Sequence, residues 1–211
     1  MPKLDRLVEF DERSRGYPIR SLVADKPRRS YTWSVGVSLN QGPDGACIGF
    51  GWAHELAARP KVHPMTNEAA FALYHEAQQL DAWPGENYEG SSVIAGAKAV
   101  QAHGWLSEYR WAFSEQDLAL AVGYRGPAVL GVNWYSGMDT LVPDSKGRLW
   151  ADVSGEVRDG HCFITHGYSV PLNAYKCWNS WGAPSEFYIS VPGMAKLLAD
   201  DGEACVPVTR G

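Results

Sequence analysis

The segment 47–59 constrains the fold more than any other part of the chain, because it predicts a helix without a solvent-facing side. Glycine and proline make 41–46 a turn-forming loop before it, and Pro60 ends it. Its first two turns are apolar all round and its polar residues come late, which is typical of a helix enclosed by other elements. Gly49 and Gly51 each cost about 1 kcal/mol relative to Ala in a helix interior, so we expect close packing against them.

The other predicted helices lie in the first half of the chain and most predicted strands in the second. Helices are predicted over 66–80, 92–103 and 114–123, where Thr66 and Ser114 are the expected caps. Alternation, or short runs of β-branched and aromatic residues, predicts strands over 31–39, 128–134, 162–170, 175–179 and 187–191. This segregation indicates an α+β fold.

Composition and charge exclude several classes of protein. Of 211 residues, 45% are hydrophobic, 12% aromatic and 20% charged, so the chain is not disordered and has enough apolar surface for one domain or two packed lobes. The net charge of -5 gives no attraction to a phosphate backbone, so nucleic acid is not expected as a partner. Uncharged stretches such as 30–41 fall far short of the ~20 apolar residues of a membrane span, so no membrane partner is expected.

Residues 1–15 mix acidic and basic side chains and contain no apolar core of a secretory signal. A cytoplasmic location, or a particle assembled there such as a phage, is therefore expected. The four cysteines lack the C-x-x-C spacing of zinc ribbons and fit no disulfide scaffold. His161 and His166 are five apart in a predicted strand and point to opposite faces, so we expect no metal site and no cofactor.

Cys47 lies where a thiol can be activated. The free N–H groups and the dipole of a helix N-terminus favour a thiolate, which lowers a thiol pKa of about 8.5. Across the loop, the amide of Gln41 can return toward the Cys47 backbone N–H, and two such donors make an oxyanion hole. His161 begins one strand and Asn179 ends another, which offers a base and a group to orient it. The alternative is that Cys47 is a small buried hydrophobe, as most free cysteines are.

Three blocks of sequence, 41–47, 161–168 and 179–182, resemble the signature blocks of papain-like cysteine peptidases. The resemblance implies a two-lobe α+β fold, in which a helical lobe carrying the nucleophile helix packs against an antiparallel, β-barrel-like lobe. It places the helical lobe at about 41–123 and the β lobe at about 124–211 plus strand 31–39. Residues 1–30 would form an N-terminal arm, too short for a complete inhibitory propeptide but able to occlude part of the cleft.

The resemblance also implies roles for single residues. Cys47 would be the nucleophile, His161 the general base and acid, Asn179 the residue that orients the imidazole, and Gln41 the oxyanion donor. Trp181 would shield the hydrogen bond between the histidine and the asparagine.

The candidate substrate-binding residues are Ser91, Ser92 and Trp181. Related enzymes line a substrate pocket where the two serines stand, although a helix cap at either serine is an alternative. Asp44 replaces a disulfide cysteine of secreted members, which fits a reducing compartment. The short spacing between Cys47 and His161 predicts trimmed loops and a more open groove.

The expected activity is hydrolysis of peptide bonds in a polypeptide substrate. Two alternatives stay open. One is a peptidoglycan peptide hydrolase or amidase with the same thiol chemistry, and the other is a non-catalytic binding module that has kept the cleft.

Overall fold

The computed structural model describes residues 3–83 and 88–210, and only the backbone of residues 209 and 210. Within this part, the α-helices are α1 (Glu12–Arg15), α2 (Arg20–Val23), α3 (Cys47–Ala57), α4 (Asn67–Leu80), α5 (Val93–Ala102), α6 (Glu115–Tyr124) and α7 (Val191–Ala199). The strands are β1 (Tyr31–Thr32), β2 (Leu106–Trp111), β3 (Ala128–Tyr135), β4 (Val142–Pro143), β5 (Leu149–Trp150), β6 (Val157–Ser169), β7 (Ala174–Trp178), β8 (Glu186–Ser190) and β9 (Glu203–Arg210). The predicted α+β class is confirmed.

The strands form one mixed sheet in the order β2-β9-β3-β6-β7-β8-β5-β4, with β1 also paired to β6. All pairs are antiparallel except β5 with β8. The sheet is open, so the expected barrel-like closure is not formed within the described residues. The two strands at one edge, β5 and β4, are two residues long each and carry too few backbone hydrogen bonds to extend the sheet round to β2.

Helix α3 lies at the centre of the molecule, as the sequence predicted. All eleven of its residues are buried, and it packs against α4 and α5 on one side and against β6 and β3 on the other. A Cβ atom at Gly49 would lie 2.2 Å from the carbonyl oxygen of Ala70, and one at Gly51 would lie 2.6 Å from the sulfur of Cys162. The close packing expected at both glycines is therefore present.

The predicted caps are confirmed. The side chains of Thr66, Ser92 and Ser114 each accept a hydrogen bond from a backbone N–H in the first turn of α4, α5 and α6. These caps explain why the three helices begin within one residue of the predicted positions.

The predicted strand over 31–39 is wrong beyond Thr32. The chain leaves β6 after β1 and crosses to the end of α3, where Val35 makes a single bridge to Ala58. Period-two alternation marks this segment because it lies between water and protein, yet without a continuous neighbour it makes no ladder.

The N-terminal arm packs tightly on the rest of the molecule. Ile19 and Val23 are fully buried, and the Ile19 N–H donates to the carbonyl of Trp111 at 2.8 Å. Among the described residues, no helix is both long and apolar enough to span a membrane.

Candidate active site

Cys47 is the first residue of α3 and is fully buried. The backbone N–H of Cys162 on β6 lies close enough to its sulfur to lower the thiol pKa. Cys162 directly follows His161 in the sequence, so the loop-to-helix junction and the strand that carries the histidine meet at this point. The fold therefore brings together two segments that are far apart along the chain.

The imidazole of His161 is held on three sides. Its Nε2 lies 2.8 Å from Oδ1 of Asn179, Trp181 stacks on the ring at 4.8 Å, and Trp134 meets it edge-on at 5.1 Å. Asn179 Oδ1 also accepts from the Ser180 backbone N–H at 2.9 Å, so it is an acceptor and His161 Nε2 carries the hydrogen. The other nitrogen, Nδ1, is buried without a hydrogen-bond partner among the described residues and keeps its lone pair free.

The side chain of Gln41 is fixed at both ends of its amide. Its oxygen accepts from the Ser180 hydroxyl at 2.6 Å, and its nitrogen donates to the carbonyls of Asp44 at 2.7 Å and Lys3 at 3.1 Å. The donor expected to serve an oxyanion is thus occupied by a carbonyl oxygen of the N-terminal arm.

Ser180 bonds two of the candidate residues and was not predicted from the sequence. Its N–H holds the oxygen of Asn179 and its hydroxyl holds the oxygen of Gln41, so one residue links the two carboxamides. The signal was its place inside the third signature block, between Asn179 and Trp181.

The two predicted serines lie beside the site with different partners. Ser92 caps α5 and also hydrogen-bonds the carboxylate of Glu9, so the capping interpretation holds for it. Ser91 donates its hydroxyl to Asp81 at 2.8 Å, and its carbonyl accepts from the backbone N–H of Leu7 at 2.8 Å.

Residues 3–7 of the arm lie across the site. The Arg6 N–H donates to the carbonyl of Gly160 at 2.8 Å, next to His161, while Leu7 bonds Ser91 on the facing wall. Gly90 and Gly160 make this approach possible. A Cβ atom there would come within 2.0 Å of the Asp5 carbonyl oxygen and 2.1 Å of the Arg6 carbonyl oxygen respectively.

The pKa of Cys47 differs from the low value expected for a thiol at a helix N-terminus. Burial raises the pKa of Cys47 to about 12, although the Cys162 N–H opposes this. Burial also lowers the pKa of His161 to about 4, against the opposing hydrogen bond to Asn179. The expected low thiol pKa is therefore wrong for this covered conformation, because loss of water outweighs the helix terminus and leaves both groups neutral.

The other thiols and the second strand histidine have structural surroundings. Burial raises the pKa of each of the three remaining thiols, all of which are fully buried. His166 Nδ1 donates to the carbonyl of Trp33 at 2.8 Å. Over residues 3–83 and 88–210, no group of three or more His, Cys, Asp or Glu side chains is placed to hold a metal ion.

Comparison with solved structures shows the fold. Xylellain, a cysteine protease from Xylella fastidiosa, superposes with a TM-score of 0.72 at 16% identity, over 99% of this chain and 97% of that one. The Amb a 11 cysteine protease, a ragweed pollen allergen, in its proform gives 0.62 at 13% identity, over 94% and 71%. A digestive procathepsin L of the Tenebrio molitor larval midgut gives 0.55 at 17%, over 99% and 76%.

No family model matches the chain, and no curated protein matches it. The structural likenesses establish that this chain has the papain-like fold.

Proposed function

We propose that this protein is a thiol peptidase that hydrolyses peptide bonds in a polypeptide substrate. The observation that carries the proposal is the state of His161, whose Nε2 is held by Asn179 while its buried Nδ1 has no partner among the described residues. The backbone N–H of the next residue, Cys162, lies close enough to the sulfur of Cys47 to lower its pKa. A base with one nitrogen fixed and the other free, beside a thiol, is the arrangement that nucleophilic catalysis needs.

The residues then act in sequence. His161 Nδ1 takes the proton of Cys47, and the sulfur attacks the substrate carbonyl carbon while the Gln41 amide and the Cys47 backbone N–H stabilise the oxyanion. The imidazolium gives its proton to the leaving amine, which leaves a thioester on Cys47. His161 next takes a proton from water, the hydroxide attacks the thioester carbon, and the acid and the thiol are released. Asn179 keeps the imidazole oriented throughout.

The arm must leave before this chemistry begins. The carbonyl of Lys3 occupies the Gln41 donor, and the backbone of Asp5 and Arg6 passes close to both walls of the site. We therefore propose that residues 1–30 act as a covering arm and that residues 31–211 form the peptidase domain.

The test is cleavage of an unfolded protein by the full-length chain and by its Arg6→Ala variant, in which the arm is held less firmly. We expect peptide products from both, with faster release from the variant, and none when Cys47→Ala is added to either. Cys177→Ala removes an equally buried thiol and should leave cleavage unchanged. Products that persist in the Cys47→Ala chains would overturn the assignment.

The same samples test the two alternatives. Release of peptide fragments from purified peptidoglycan, with no cleavage of the unfolded protein, would favour a cell-wall hydrolase. No products from either substrate would favour a binding module that has kept the cleft.

A further inference from the structure

Beside the site, the side chain of Arg6 fills a pocket whose floor is a carboxylate. The Arg6 and Glu203 side chains are 0% and 1% exposed, and Nη2 of Arg6 lies 2.8 Å from Oε1 of Glu203. Nε of Arg6 donates to the same oxygen at 3.2 Å, and Nη2 also donates to the carbonyl of Asp201 at 2.9 Å. The pocket thus offers several acceptors to one planar guanidinium.

The pocket adjoins the proposed nucleophile and base. The backbone N–H of Arg6 bonds Gly160, the residue before His161. On β3, a Cβ atom at Gly131 would lie 2.7 Å from Nε of Arg6 and 3.1 Å from Oε1 of Glu203. The pocket therefore has room for the arginine side chain because residue 131 is a glycine. A chain that enters the site can therefore place a side chain in the same space.

The occupant belongs to the segment that must leave. A buried ion pair contributes little to folding compared with apolar packing, because desolvation of both charges offsets their attraction. The hydrogen-bonding capacity of this pair is also not fully used, since Arg6 Nη1 and Glu203 Oε2 have no hydrogen-bond partner within residues 3–83 and 88–210. When the arm departs, Glu203 is left in the pocket without its counter-charge, which favours binding of another cation.

We propose that the pocket formed by Glu203, Gly131 and the Asp201 carbonyl is the specificity pocket of the peptidase and selects an arginine side chain in the substrate. This inference rests on the proposed function and adds its substrate class. Arg6 is then an internal occupant that holds the arm in place of substrate.

The geometry favours arginine over lysine and over apolar side chains. Two nitrogens of Arg6 reach Glu203 while one of them also reaches Asp201, a pattern that the fork of a guanidinium can make and a single ammonium cannot. A leucine in the pocket would leave the carboxylate buried and unpaired.

The experiment profiles full-length chains against short peptides in which one position at a time is Arg, Lys, Leu or Glu. Wild type and Arg6→Ala should cleave Arg peptides about tenfold or more faster than Leu peptides at one fixed position, as kcat/KM. The Arg6→Leu/Glu203→Leu chain, which replaces the pair by apolar side chains, should lose this preference and favour Leu. Glu203→Gln, which keeps the shape of the pocket and removes its charge, should lose the preference even if the double variant folds poorly.

A matched control removes two charges from a surface pair. Arg110 and Glu108 pair at 2.7 Å on β2, and the Arg110→Leu/Glu108→Leu chain should keep the Arg preference. Equal Arg preference in wild type and in both Glu203 variants would overturn the inference and leave a merely structural ion pair. Cleavage without any Arg preference would overturn it while the proposed function stands. Absence of cleavage in every chain would overturn the proposed function and the inference together.

Discussion

Two buried pairs lie side by side in this molecule and differ in what they join. His161 with Asn179 connects β6 to the end of β7, within one sheet. Arg6 with Glu203 connects the N-terminal arm to β9. The proposed departure of the arm would leave the first pair intact and break the second. In the proposed mechanism the reactive groups therefore belong to the sheet and the central helix, whereas access to them depends on the arm.

The arm also determines the electrostatics of the site. Burial is the largest cause of the raised pKa of Cys47 and of the lowered pKa of His161, and Asp5 and Arg6 of the arm lie close enough to Cys47 to interact with it electrostatically. Water admitted by departure of the arm would lower the thiol pKa and raise the imidazole pKa, so that both charged forms become accessible. In the proposed mechanism, uncovering the site and activating the thiol of Cys47 are therefore one event.

Replacement of His161 should have the largest effect on activity. His161→Ala should reduce kcat by about a thousandfold or more, because the thiol loses its base and the leaving amine its acid. The measurement is hydrolysis of an Arg-containing peptide in the Arg6→Ala background. His166→Ala is the control, since that side chain bonds Trp33 on the far side of the strand, and it should retain activity. A fully active His161→Ala chain would contradict the assignment of the base.

Gln41 would belong to both regions in the proposed mechanism, because its amide bonds the arm in the covered state and would bond an oxyanion during turnover. Gln41→Ala should lower kcat by about a hundredfold while it weakens the hold on Lys3. Steady-state kinetics measures the first effect, and the rate of proteolytic trimming of the arm by an added protease measures the second. Slower catalysis with unchanged trimming would show that the Lys3 contact contributes nothing to holding the arm.

Breaking the pair of Arg6 and Glu203 should raise activity, whereas the two preceding changes lower it. Arg6→Ala leaves Glu203 buried without a counter-charge, and breaking a buried pair costs about 3–5 kcal/mol, so the covered state loses population. We expect kcat/KM to rise about tenfold or more relative to wild type. Lys26→Ala, a change elsewhere on the arm, should not alter it. A decrease with Arg6→Ala would contradict a covering role.

The smallest effect concerns pH. With an arginine in the pocket, burial raises the pKa of Glu203 to about 7, while Arg6 and Arg15 lower it and Glu9 raises it. The thiols of Cys162 and Cys205 also lie close enough to interact with this carboxylate. Because only the ionised carboxylate attracts a guanidinium, the ratio of Arg to Leu cleavage should fall several-fold as the pH drops from 8 to 6. A ratio of Arg to Leu cleavage that stays constant between pH 8 and 6 would show that the shape of the pocket, and not its charge, selects arginine.

The predicted site depended on local patterns, because the proposed chemistry needs particular residues at fixed places. Cys47 after a glycine-rich loop, and Asn179 at the end of a strand, could be recognised from short stretches of sequence. Helix caps such as Thr66 are equally local, because a cap serves the N–H groups of its own helix.

Features that depend on distant partners escaped prediction. Glu203 stands in an acidic segment but is buried, and its partner Arg6 lies 197 positions away. The strands β2 and β9 were not predicted, because β2 is rich in polar residues and its partner follows about a hundred residues later. No local pattern marks the burial of His54, which accepts from the Leu39 N–H at 3.1 Å, 15 positions away.

The most direct test of the account is the rate at which iodoacetamide alkylates each of the four thiols, followed peptide by peptide at pH 6. In the Arg6→Ala chain, Cys47 should react at least about tenfold faster than Cys162, Cys177 and Cys205, because the pair with His161 supplies a thiolate below the ordinary thiol pKa. That advantage should disappear when His161→Ala is added. Four thiols that react equally slowly, or a Cys47 rate that does not depend on His161, would contradict the claim that these two residues form the reactive pair.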